Sequence, residues 1–327
     1  MRTLSFIGSD KNAGKTTAFT YYYYQLYKRI PNHSTICLTS IGINGEPVDS
    51  YENEEKPAIR VFPNTLFITA GEHLSELIGL YRVNATFTER VFSKTYVLAT
   101  ALDSFNVILE GPNDKAAILE MKDRLEQLDN KLYCLIDGSI DRQFLGHPDI
   151  SDGICFALLL SDRQQQLKKA SDLLTALLME QCNSDISTLI KTHHNEGTKS
   201  LLCSTNGELI YCGHQIPFLD EELKKSCLDA KDDHCVLYLD GSLAGRLYHF
   251  LAPFSRMQVV LDNYTCYQNI SVQKAPGKTF KPGLFVFHSV PLDCLFIRQE
   301  ANHQSFNFPV NIPVYDLFRD ESHEIGI

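Results

Sequence analysis

The stretch Gly8-Ser9-Asp10-Lys11-Asn12-Ala13-Gly14-Lys15-Thr16-Thr17 constrains this chain more than any other. An apolar run, Leu4 to Ile7, precedes it and reads as a strand; Ala18 to Ile30 follows it and reads as a helix. Strand, glycine-containing turn and helix, in that order, are the setting of a phosphate-binding loop. The backbone N–H groups of such a loop cradle phosphate oxygens, and the helix N-terminus adds a favourable dipole. The expected cradle runs from Ser9, Asp10, Lys11, Asn12 and Ala13 through Gly14 and Lys15 to Thr16 and Thr17. Lys15 is expected on the outer phosphates and Thr16 on a magnesium ion. The usual pattern carries glycine where this chain has Ser9, and the glycine here stands one residue earlier, at Gly8. The plain alternative is a surface turn joining a strand to a helix.

Two further loop residues are candidates for chemistry. Hydrolysis of a bound triphosphate needs a water in line with the last phosphate, and positioning plus electrostatics supply most of the effect. Asp10 lies in the loop, and Lys11 can stabilise developing charge, in this chain or across a homodimer. The competing expectation is that Asp10 only braces the loop and Lys11 faces solvent.

Composition narrows the classes. The 327 residues allow one large domain or two smaller ones. Thirty basic and 40 acidic residues leave a formal charge of -10, with no basic tail, so nucleic acid is not an expected partner. No apolar run approaches the roughly 20 residues that span a membrane, and no secretory signal is read at Met1 to Ile7. The 10 cysteines form no Cys-x-x-Cys pair and lie in or beside apolar runs. Buried reduced thiols in a cytoplasmic protein are therefore expected.

Along the chain, apolar runs alternate with helical patterns. Tyr21 to Tyr24 cannot all share one helix face, so core-plus-rim packing, or a partner-binding face, is expected there. Thr35 to Ile41 reads as the second strand; it enters a loop in which Glu46 or Asp49 could contribute a carboxylate to magnesium. Ile59 to Phe62, Leu66 to Thr69, Arg82 to Ala85 and Arg90 to Leu98 are short strand candidates, and Glu72 to Leu80 suggests a short helix. Val107 to Leu109 reads as a buried strand ended by Glu110, at the tip where parallel sheets bind ligands. Asp114 to Leu128 is helical, with Ala117, Ile118, Met121, Leu125 and Leu128 on one face. Leu132 to Ile136 is the next strand, ended by Asp137, with Asp141 and Arg142 in the following loop. Gly153 to Leu160, a helix from Asp162 to about Met179 and a strand at Ser187 to Ile190 complete the series.

The expected fold is α/β: a doubly wound, mostly parallel sheet of P-loop nucleoside-triphosphatase type over residues 1–195. A C-terminal α+β extension over 196–327 carries strand candidates at Leu209 to Cys212, Val236 to Leu239, Met257 to Leu261, Ile270 to Lys274, Leu284 to His288 and Leu295 to Ile297, and a helix at Leu243 to Leu251. His193, His194 and Glu196 look metal-like, but adjacent ring directions diverge.

Gly8 to Thr16, with Glu110-Gly111 at a strand end, resembles the phosphate loop and magnesium-binding Glu-Gly of dethiobiotin synthetases. The Lys-Pro element that those enzymes carry after the second strand is replaced here by Ser40-Ile41-Gly42-Ile43. A longer resemblance is to P-loop proteins associated with lysine 5,6-aminomutase, proposed reactivase subunits of that adenosylcobalamin enzyme. Thr39 to Gly42, Gly45-Glu46, Asp49, Leu109 to Asn113, Asp137 to Arg142 and Val310 to Phe318 carry it; Gly146-His147-Pro148 departs from it. The resemblance implies ATP with Mg2+, held by Thr16 and Glu110, with Asp49 second. Asp137 is the alternative if its strand lies beside the first. GTP stays open, although no Asn-Lys-x-Asp element supports guanine. Three roles follow: an accessory ATPase acting on an aminomutase or its companion ATPase, a ligase gripping a small carboxylate with Asp137, Asp141 and Arg142, or a non-catalytic nucleotide sensor.

Overall fold

The computed structural model describes residues 1–44, 59–89, 94–138, 147–267, 280–299 and 311–316. They form two compact units: Met1–Ser161 with Pro291–Ile327, and Asp162–Val290. Residues 162–195 belong to the second unit, and the last strands return to the first.

In the first unit, β1 (Arg2–Gly8) leads through the loop into α1 (Lys15–Arg29). Then come β2 (Ile36–Ser40), β3 (Gly42–Asn44), β4 (Ile59–Val61), β5 (Leu66–Ala70), β6 (Tyr81–Glu89) and β7 (Lys94–Ala101). β8 (Phe105–Val107) and β9 (Leu109–Gly111) precede α2 (Lys115–Leu128), β10 (Tyr133–Asp137) and β11 (Gly153–Leu160).

The second unit holds α3 (Gln164–Leu177), α4 (Ser184–His193), β12 (Ser200–Ser204), β13 (Leu209–Gly213), α5 (Glu221–Asp229) and β14 (Cys235–Leu239), then α6 (Gly245–Leu251), β15 (Met257–Asn263) and β16 (Gly283–His288). β17 (Leu292–Gln299) and β18 (Val314–Asp316) rejoin the first unit.

Among the described residues the main sheet has nine strands in the order β18-β17-β11-β1-β10-β2-β5-β7-β6. From β18 to β5 every neighbouring pair is parallel; β7 runs antiparallel to β5 and β6. The chain is thus a mixed α/β protein with a large, mostly parallel sheet. β1 is central, which explains its almost unbroken apolar burial: a parallel strand covered on both faces has no solvent side. Phe6 of β1, Phe19 and Tyr23 of α1, Leu38 of β2 and Phe296 of β17 meet in one buried cluster. The four tyrosines divide as their helical spacing requires. Tyr23 is buried, its hydroxyl 2.7 Å from Thr65 Oγ1, while Tyr24 is at the rim with Lys28 Nζ 3.9 Å from its ring centroid.

Several expectations are corrected. Glu72 to Leu80 forms only a 3-10 turn at Gly71–Leu74 followed by tight turns; Gly79, with φ +89°, stops any helix there. Val107 to Leu109 is no central strand. Its chain breaks at Ile108, whose carbonyl accepts from Thr69 Oγ1 at 2.6 Å, so β8 pairs with β4 and β9 pairs with β3 in separate antiparallel ribbons. Ser187 to Ile190 lies inside α4, where Asn183 caps the helix through Ile186 N–H and Ile186 and Ile190 share the buried face. Leu128 is exposed, whereas Ile118, Met121 and Leu125 are buried as expected. Asp114 caps α2 through Ala117 N–H at 3.0 Å.

The second unit has its own sheet, β13-β12-β14-β15-β16, parallel from β14 to β16. Ile186 and Ile190 of α4 pack on Tyr238, Val260 and Phe287. The strand candidate at Ile270 to Lys274 lies outside the described residues, as do Val310, Leu317 and Phe318 of the stretch Val310 to Phe318. Among the described residues no helix is long and apolar enough to cross a membrane.

Candidate functional site

The loop leaves β1 at Gly8 and enters α1 at Lys15. Gly14 caps the helix with φ +87°, a left-handed conformation that glycine adopts without steric cost. The first turn of α1 contains no acidic residue and Gly14 supplies no side-chain cap. Its leading N–H groups therefore have no helical acceptor, and the positive end of the helix dipole faces the loop. Lys15 folds back over the start of the loop: a Cβ built on Gly8 would lie 2.8 Å from Lys15 Cγ and 2.9 Å from Cδ. That close approach explains why glycine stands at position 8.

Ser9, at the site of the usual glycine, is buried and structural. Its N–H donates to the Ala157 carbonyl at 2.9 Å, and its Oγ accepts from Leu159 N–H at 2.9 Å. Both bonds tie the loop to β11. Ala13 packs with Ala157 and Leu159. The Asp10 carboxylate accepts from Lys11 N–H at 2.8 Å, which is a bracing contact. Thr16 and Thr17 open α1, half-buried. Arg298, near the end of β17, donates from Nη1 to the Asn12 carbonyl at 2.7 Å.

The sheet order sets the candidate carboxylates apart. β10 lies beside β1, with Asp137 abreast of Phe6 and Gly138 N–H bonded to the Phe6 carbonyl at 3.0 Å. Residues abreast in a parallel pair share a face. Phe6 stands edge-on to Phe19 of α1, so Asp137 lies on the face that α1 covers. Asp137 is buried at the end of its strand.

Glu110 is elsewhere. It pairs in register with Ile43 in the β3–β9 ribbon, a separate two-stranded sheet whose strand β3 follows β2. Its Oε1 lies 2.5 Å from Lys94 Nζ and its Oε2 2.8 Å from His73 Nε2. Glu72 completes the group, 2.9 Å from Lys94. Burial opposes the Lys94 ammonium, but Glu110 and Glu72 outweigh it and hold its pKa above the ordinary value. The hydrogen bond and charge of Lys94 hold Glu72 below its own. The ligand atoms of Glu72, His73 and Glu110 lie close enough to share a metal, yet Lys94 already stands between the two carboxylates as their cation. The magnesium role expected of Glu110 at the loop stays an expectation: here its two oxygens meet Lys94 and His73, and its strand β9 pairs with β3 outside the sheet that holds β1.

Asp49, Asp141 and Arg142 lie outside the described residues. His193 Nε2 is 3.1 Å from the Gly207 carbonyl, and His194 stands edge-on to Tyr238, so the two rings diverge as expected. Sequence reasoning missed Lys94, His73 and Arg298. The strand-end rule that picks out Asp137 applies equally to Arg298, which follows the apolar run Leu295 to Ile297. Comparison of the chain with protein-family models, curated proteins and solved structures returns no match.

Proposed function

We propose that this chain binds ATP with magnesium at Gly8 to Thr17, as a P-loop protein, and acts as an accessory ATPase on a partner enzyme. The observation that carries the reading is one constellation. A left-handed Gly14 opens a helix with no acidic residue in its first turn, Lys15 lies over Gly8, and Asp137 ends the strand beside β1. These donors suit a polyphosphate: backbone N–H groups for its oxygens, an ammonium for its outer charge, and a hydroxyl and a carboxylate for a hard cation. Thr16 and Asp137 would hold the magnesium, which supplies charge neutralisation. In this reading Asp10 braces the loop and Lys11 remains the candidate for stabilising developing charge. The absence of an Asn-Lys-x-Asp element favours ATP over GTP.

Calorimetry with magnesium-ATP tests the reading. Lys15→Ala removes charge-assisted hydrogen bonds worth roughly 1.5–3 kcal/mol each, so its affinity should fall at least tenfold. Equal affinity in the variant and the wild type would end the reading.

The accessory role rests on the resemblance to aminomutase-associated P-loop proteins and on the second unit. There Leu209 and Ile210 of β13, an edge strand among the described residues, and Ile216, Phe218, Leu219 and Leu228 close by in sequence are exposed apolar side chains, of a kind that contacts with other proteins bury. ATP-dependent co-purification with an adenosylcobalamin-dependent aminomutase or its companion ATPase is the expected result. Phosphate release stimulated by a small acid, with no such protein bound, would instead favour the ligase reading.

A further inference from the structure

Resting on the reading of Gly8 to Thr17 as a nucleotide site, we propose that Arg298 is a positioning residue for that loop. It takes the Asn12 carbonyl from outside and so keeps the loop's N–H groups turned toward the phosphates. The bond is direct: Nη1 to Asn12 O at 2.7 Å. Asn12 needs the support. Its φ of +60° puts a side-chain-bearing residue in the left-handed region, which asparagine tolerates better than most but not freely. The bond from Ala13 N–H to the Asp10 carbonyl across the loop is long, at 3.3 Å.

The neighbouring strands provide the stronger hold, at two points. Ser9 fastens the start of the loop to β11 through Ala157 and Leu159. Arg298 fastens its apex, and it sits abreast of Leu159 in the β11–β17 pair, so both fastenings come from one row of the sheet. A guanidinium suits the task because its rigid fork keeps its charge and its donor direction together. The carbonyl it holds lies on the reverse of the peptide that joins Asn12 to Ala13, whose N–H turns inward to the Asp10 carbonyl, so the bond fixes that peptide plane and with it the course of the loop. A consequence follows for the chain: the phosphate loop near the N-terminus takes its final form from a strand that arrives only after the second unit.

The test is calorimetry on the full chain with magnesium-ATP and magnesium-ADP, using wild type, Arg298→Ala and Arg298→Lys, with melting curves taken without nucleotide. Arg298→Ala should weaken ATP and ADP by the same factor, about tenfold, with the melting temperature within a few degrees of wild type. Arg298→Lys, which keeps a cationic donor, should recover most of the loss. Unchanged affinity in Arg298→Ala would overturn the inference and leave the nucleotide site standing. A loss confined to ATP would also overturn it, since that marks a contact with the last phosphate itself. So would a collapsed melting temperature that lysine does not restore. A wild-type protein that binds neither nucleotide overturns the site and the inference together.

Discussion

Gly8 and Lys15 meet where there is no room for a methyl group. The atoms a Cβ would strike belong to the lysine stem, which can move, so Gly8→Ala should cost little stability but displace the Lys15 ammonium. About tenfold weaker ATP binding, or ~1.4 kcal/mol, with a nearly unchanged melting temperature is expected from parallel calorimetry and thermal melts. Asp137 and Glu110 make opposite predictions. Asp137→Asn should abolish the magnesium dependence of ATP affinity, whereas Glu110→Gln should leave it intact; titrations with and without magnesium distinguish them. The cysteines behave as small apolar residues. Cys37 stands abreast of Cys134 and Cys155 abreast of Cys294 in neighbouring strands, all buried. Hydrogen bonding to Cys134 and burial push the Cys37 thiol well above its ordinary pKa, and burial does the same for Cys155. A thiol kept protonated is a poor nucleophile. Of the 10 thiols, only the half-buried Cys212 should react rapidly with a disulfide reagent in the native protein, and the rest only on unfolding.

At the scale of elements, the turn after β5, strand β7 and the ribbon strand β9 are joined by charge as well as by the buried cluster that Leu74, Val97 and Leu109 share. Glu110 is 3 % exposed at its side chain and Lys94 30 %. Removing the ammonium leaves a buried carboxylate without its cation. Lys94→Met should therefore destabilise the protein by about 2 kcal/mol, below the ~3–5 of a fully buried pair because solvent reaches the lysine. Adding Glu110→Gln should recover part of the loss. The pH dependence follows from the two shifts. Glu72 has a lowered pKa when folded, so its contribution is present above the ordinary carboxylate value and is lost as pH falls through the folded one. Lys94 has a raised pKa, so its contribution is present below the ordinary lysine value and is lost as pH rises through the folded one. The stability gap between wild type and Lys94→Met, from denaturant titrations, should thus be widest between those limits and shrink in acid. A gap that widens in acid would contradict the assignment.

For the whole molecule, the first unit is discontinuous in sequence and the second is inserted into it. Residues 162–290 carry their own sheet and buried cluster and should fold when expressed alone, as a cooperative thermal transition would report. A chain cut after 290 should not fold stably, because β17 pairs along the length of β11 and brings Cys294 and Phe296 into the core that holds β1 and α1. Removing them uncovers the central sheet on one side and strips the loop of Arg298.

Much that depends on near neighbours was legible in the sequence. Gly14-Lys15-Thr16 opens a helix because glycine, a missing cap and helix-forming residues act within a few positions. β1, β2, β10 and β11 are apolar runs bounded by turn residues, and Asp114 announces α2 as a local cap. Where the local pattern was degenerate, the reading failed. Ser187 to Ile190 has the length of a strand; the Asn183 cap and the buried i, i+4 pair Ile186 and Ile190 mark it as helix. Leu109-Glu110 and Ile136-Asp137 are the same local object, an apolar run ended by a carboxylate. Which of the two stands beside β1 is a matter of strand pairing between residues far apart in sequence, and no local pattern contains it. Tertiary structure put β10 there, sent β9 into a ribbon where Lys94 neutralises Glu110, and carried Arg298 from the far end of the chain to Asn12.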